Sequence, residues 1–119
     1  MLDRADGCCE ICGVLIHDGD GWVGEHSFHH RRPRRMGGSS DPATNRPSNL
    51  LLICGSATSP AGCHLLVESQ RALALGNGWL LHAEQNPTLE PVELAVTPPA
   101  HRTWLKDDGV ITVADGTNT

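Results

Sequence analysis

The chain has 119 residues, a formal net charge of −5, three Trp, one Phe and no Tyr. A domain this short buries only about two-thirds of the surface its unfolded chain exposes, and with so few aromatic residues, and with 13 Gly and 8 Pro, it has a small core and many turns rather than long regular elements. The acidic balance excludes a protein that coats nucleic acid non-specifically, and no stretch approaches the ~20 apolar residues of a membrane span.

The N-terminus, "MLDRADGCCEICG", has no cationic segment followed by an apolar run, so nothing in it reads as an export signal and the expected compartment is the cytoplasm. In a reducing compartment, cysteines at short spacing bind metal more often than they pair with one another. The odd count of five agrees, because a disulfide framework would leave one thiol over. Cys9 and Cys12 form a C-x2-C knuckle, and Cys54 and Cys63 supply a second pair at wider spacing. Four thiolates close a tetrahedral structural zinc site, which would compensate for a thin core. Cys8 could replace Cys9 only by changing the knuckle to C-x3-C, so Cys9 is preferred; the plainer alternative is that Cys54 and Cys63 are small buried core residues.

After the turn formers "HDGDG", the stretch "GWVGEHSFHH" predicts a strand that runs into the polar loop "RRPRRMGGSSDPATNRPS". Pro33, Pro42 and Pro47 forbid a helix through that loop. "NLLLIC" is short, apolar and bounded by turn residues, as a buried strand is. "CHLLVESQRALALGNG" carries an imperfect helical stripe at Leu65, Leu66, Ala72, Leu73 and Leu75, with Gly76, Asn77 and Gly78 as its stop. Beyond it the pattern becomes short apolar patches among Pro, Asn and Asp-Gly, and "TWLKDDGVITV" predicts a hairpin between Trp104-Leu105 and Val110-Val113. The predicted organisation is a core over residues 1–79 and a small β appendage and tail over 80–119, packed on the same single domain.

Charge is unevenly spread. Arg31, Arg32, Arg34 and Arg35 lie within five residues, directly after His29 and His30. Arginine grips phosphate through paired N–H donors, and a loop rich in Gly and Pro lets the backbone approach a polyanion. A phosphodiester nuclease needs a neutral imidazole to take a proton from water and a cation to neutralise the leaving oxygen. At a strand end running into a loop, one of the two adjacent histidines could ligate a metal while the other acts as base. His64 and Glu68 are spaced i, i+4 on the predicted helix, so they share one face at a separation suited to a pair of metal ligands. Each feature alone has a plainer reading: an exposed polar pair, a helix charge paired with Arg71, and solvated loop arginines. Their combination favours phosphate chemistry.

From Cys9 to about Trp79, through "CEIC", "HHRRPRRMGG", "SNLLLICG" and "GCHLLVESQRA", the chain resembles the HNH endonucleases, the zinc-knuckle branch of the ββα-metal or His-Me finger superfamily. It is most similar to the small HNH proteins of actinobacterial tailed phages. The resemblance implies an α+β fold with a ββα-metal core stabilised by zinc on Cys9, Cys12, Cys54 and Cys63. It puts His29 at the first metal-binding position, His30 at that of the general base, Asn49 at that of the asparagine bracing the base's loop, and His64 at that of a metal ligand. Many relatives carry a second histidine where this chain has Glu68; the departure makes a harder site that favours Mg²⁺ or Mn²⁺, with Ni²⁺ a further candidate.

On that reading the protein is a DNA endonuclease leaving 5′ phosphates, with Arg31, Arg32, Arg34 and Arg35 on flanking phosphates and little base specificity. A monomer is the expected form. The phage setting implies work beside terminase subunits and the portal in DNA packaging. Two other readings stay open: a zinc-stabilised DNA-binding or packaging accessory module without catalysis, and a zinc-ribbon regulator with "RRPRR" as a DNA-binding arm.

Overall fold

A computed structural model describes residues 3–32, 46–95, 101–107 and 111–115. The centre of the molecule is an antiparallel pair, β1 (His26–His30) and β2 (Leu50–Cys54), in the register His26↔Cys54 to His30↔Leu50. The apolar run of β2 explains its position: Leu51, Leu52 and Ile53 are fully buried. Two short helices follow, α1 (Cys63–Ser69) and α2 (Arg71–Gly76), and α1 packs on both strands. The chain is thus a small mixed α+β domain.

The continuous helix expected after Cys63 is broken at Gln70, whose φ of −119° and ψ of 64° leave the helical region. Just before the break, the Ser69 hydroxyl donates to the Leu65 carbonyl at 2.7 Å, a back-bond that bends helices. His64 and Glu68 both remain on α1.

The N-terminal knuckle docks on the edge of β2 that β1 leaves open. Glu10 N–H donates to the Leu52 carbonyl at 2.8 Å, and the Leu52 N–H donates to the Glu10 carboxylate at 2.8 Å. The same carboxylate accepts from Arg4 Nε at 2.7 Å, with both side chains buried, while Arg4 also donates to the carbonyls of Pro47 and Leu50. An ion pair out of water is tolerable only when its remaining donors are satisfied, and this one is tied to three segments at once.

Residues beyond the helices share the same core. Trp79, Leu80, Val92, Leu94 and Leu105 are buried in one cluster with Cys9, Ile16 and the β2 leucines. The C-terminal hairpin pairs β3 (His101–Leu105) with β4 (Ile111–Asp115), Leu105 opposite Ile111, and Val92 bridges to Thr103. The strands are longer than the expected Trp104-Leu105 and Val110-Val113, and the Asp-Gly turn lies outside the described residues. Among the described residues no helix is long and apolar enough to cross a membrane.

Candidate functional site

Four cysteine sulfurs, from Cys9, Cys12, Cys54 and Cys63, lie within 4.8 Å of one another. Cys12 and Cys54 are 3.7 Å apart at sulfur, against about 3.8 Å across an edge of a tetrahedral zinc–thiolate site with ~2.3 Å bonds. Two backbone N–H groups point at these sulfurs, Cys12 at Cys9 (3.4 Å) and Cys63 at Cys54 (3.3 Å). Donors of this kind stabilise thiolates. A side-chain hydrogen bond from Cys63 is the main influence holding the Cys9 thiol down, to about 4, against the opposing effect of burial. On the donating side of that bond, the Cys63 thiol is pushed up. Donor set and spacing fit a structural metal ion such as zinc. Cys8 stays outside the cluster, with its thiol near the Asp6 carbonyl at 3.7 Å.

The wide spacing of the second pair closes through glycine. Gly55 and Gly62 have φ of +87° and +105°. A Cβ on Gly62 would stand 3.3 Å from the Cys54 carbonyl oxygen and 3.4 Å from the Gly55 Cα. Only a residue without a side chain lets the loop return this closely, and the return brings Cys63, at the start of α1, beside Cys54.

A separate cleft of about 300 Å³ lies between β1 and the helices, and its lining includes His29, His30, His64, Glu68 and Arg71. His29 is oriented from behind: its Nε2 lies 2.7 Å from the Trp79 carbonyl oxygen. A carbonyl only accepts, so Nε2 carries the proton and Nδ1 holds the lone pair of the neutral ring. Burial is the largest influence on this imidazole and pushes its pKa below the usual histidine value, although the Trp79 carbonyl opposes the shift. Trp79 is itself fixed, with its indole N–H donating to the Glu93 carbonyl at 2.6 Å. No sequence signal could have found this contact, because any residue type supplies a main-chain carbonyl.

Asn49, fully buried, holds the chain just past His30. Its Oδ1 accepts from the Arg32 N–H at 2.7 Å, its Nδ2 donates to the Arg32 carbonyl at 3.4 Å, and its own carbonyl accepts from the Arg31 N–H at 2.8 Å.

His29, His64 and Glu68 line one cleft, but among the described residues the four cysteines are the group whose potential ligand atoms close to within 4.8 Å. The arginine run needs a larger correction. Arg31, expected on a phosphate, is fully buried. Its guanidinium donates to four carbonyls: Gly78 (2.8 Å), Ser48 (2.9 Å), Pro87 (3.0 Å) and Glu90 (3.0 Å). Burial, as the main cause, lowers its pKa to about 10, so it remains cationic at neutral pH while its donors are spent on backbone. Arg32 is partly buried and reaches the Gln85 carbonyl at 3.5 Å. Arg34 and Arg35 lie outside the described residues. Among the described residues, the arginine that lines the cleft is Arg71, exposed at the start of α2.

No protein-family model matches this chain, and neither does any curated protein or solved structure.

Proposed function

We propose that the protein is a metal-dependent DNA endonuclease of the HNH type, built around a structural zinc ion on Cys9, Cys12, Cys54 and Cys63. The observation that carries this reading is the Asn49 side-chain amide gripping the backbone of Arg32 just past His30, with His29, His30, His64 and Glu68 lining one cleft.

His30 is the general base, an imidazole nitrogen being able to take a proton from water at the cleft. It removes a proton from a water aligned with the scissile phosphate as the new P–O bond forms and the bond to the 3′ oxygen breaks, leaving a 5′ phosphate. Asn49 holds the backbone that aims His30, and Arg71 offsets phosphate charge at the cleft wall. Nδ1 of His29, with His64 and Glu68, would hold a divalent ion whose chemistry is stabilisation of the departing 3′ oxygen. Two imidazoles and a carboxylate suit Mn²⁺ or Ni²⁺, and the carboxylate admits Mg²⁺. A place beside a phage terminase and portal is the biological setting this reading suggests.

The accessory-module reading is favoured by one observation: the tight metal-ligand group among the described residues is the cysteine quartet, none of whose members lines the histidine cleft. Nicking of supercoiled plasmid by zinc-loaded protein, titrated with Mn²⁺ beside His30→Ala, decides between the two. Cutting by wild type alone supports the nuclease. Absence of cutting by folded, zinc-loaded protein under Mg²⁺, Mn²⁺ and Ni²⁺ would leave the accessory module.

A further inference from the structure

The chain spends scarce aromatic residues on its surface. It has three Trp and one Phe, yet Trp22 is 43% exposed and Phe28 38% exposed. Burying such rings is among the most favourable uses of a large side chain, and a core this thin would gain from it. The exposed rings are organised. Trp22 lies flat on His26, with ring centroids 3.5 Å apart and planes 11° from parallel. Phe28 meets both edge-on, at 6.4 Å from Trp22 and 6.3 Å from His26. His26, Phe28 and His30 are alternate residues of β1, so they share one face of the strand. Phe28 also lines the cleft with His29 and His30, which makes the aromatic surface continuous with the proposed catalytic groups.

We propose that Trp22, His26 and Phe28 form a stacking platform for unpaired nucleobases, and that the cleft therefore takes DNA with a single-stranded or unstacked stretch. The inference rests on the nuclease reading of the cleft. A paired duplex offers base edges in its grooves, whereas a base face becomes available to an aromatic ring only out of the helix. Charge gives the bound strand its orientation. Two acids adjoin the ring cluster along the chain: Asp18 follows His17, whose ring meets Trp22 edge-on at 4.8 Å, and Glu25 directly precedes His26. These acids disfavour phosphates there, while Arg71 attracts them at the cleft. Bases thus face the rings and the backbone turns toward the catalytic side.

The test uses the zinc-loaded full chain without other divalent ions. Fluorescence anisotropy compares a labelled 12-nucleotide oligothymidine with a 12-base-pair duplex, for wild type, Trp22→Ala, Trp22→Phe and Phe28→Leu. The single strand should bind about tenfold more tightly than the duplex. Trp22→Ala and Phe28→Leu should each lose about tenfold on the single strand, the scale of one lost base–aromatic stack, while Trp22→Phe retains most of the affinity. The salt dependence should not change, because stacking releases no counterions. Equal affinity for the two DNAs, or variants that bind like wild type, overturns the platform. Sedimentation in which Trp22→Ala halves the mass of the particle also overturns it, since the rings would then join two copies. Plasmid cutting without preference for unpaired DNA sinks the platform and spares the nuclease; single-strand preference with no cutting under any metal does the reverse.

Discussion

The side chain of Asn49 holds the backbone of Arg32 at both its polar atoms, accepting from the N–H at 2.7 Å and donating to the carbonyl at 3.4 Å. The chain is thereby held just past His30, the general base of the proposed mechanism. Asn49→Ala strands two partly buried backbone groups, at a cost of about 1–3 kcal/mol, and should slow plasmid nicking about 100-fold, the lower end of what a positioned base contributes. Asn49→Asp keeps the acceptor and should recover part of the rate. A folded Asn49→Ala protein that nicks as wild type does would break the link between this bracing and catalysis.

The cysteine cluster should behave as part of the fold. Structural zinc in small domains contributes folding free energy of about 10–16 kcal/mol, more than a core this size supplies. Chelation, or Cys54→Ser, should therefore abolish cooperative thermal unfolding. Cys8→Ser, which changes a thiol outside the cluster, should leave zinc stoichiometry and melting temperature unaltered. Loss of bound zinc in Cys8→Ser would contradict this ligand set.

Arg31 is expected to matter to stability rather than to DNA affinity. Arg31→Ala removes the donor partners of four carbonyls and should destabilise by at least about 3 kcal/mol, since each buried acceptor left unpaired costs about 1–3 kcal/mol. Arg31→Lys should recover little, since one ammonium has three donors and lacks the planar fork. Denaturant unfolding measures the loss. If Arg31→Ala instead weakens DNA binding with unchanged stability, the residue faces phosphate after all.

His29 gives stability a pH dependence. Its folded pKa is lowered, chiefly by burial, so between the unfolded value near 6.5 and the lower folded value the unfolded chain binds more protons. The contribution is present above about pH 6.5 and is lost as pH falls through the folded pKa. Wild type should therefore lose more stability than His29→Gln between pH 7 and 5.5, measured by urea unfolding of zinc-loaded protein. Parallel curves would mean that His29 is not held neutral by its surroundings.

Much of the layout was legible in the chain because it rests on local rules. The apolar run 50–54 had to be a buried strand, the glycine-bounded return at 55–62 had to be a loop, and C-x2-C with a second pair of cysteines pointed to a metal site. The i, i+4 spacing carried His64 and Glu68 to one face of the helix that begins at Cys63. Arg31 could not be distinguished by sequence from its neighbours. It directly follows the last residue of β1, where the chain turns inward under residues 78–90, and its burial depends on carbonyls up to 59 positions away.

What the sequence determined by itself is the inventory of chemistry and its local spacing: four thiols for a tetrahedral ion, paired imidazoles at a strand end, and a histidine and carboxylate one turn apart. Tertiary structure alone decided that Arg31 of the arginine run is spent on the fold, which carbonyl orients His29, and that two of four large aromatic rings stay on the surface. The physical reason is that these outcomes are contacts between main-chain atoms and distant side chains. Their energies depend on burial and direction, and neither exists until the chain has closed on itself.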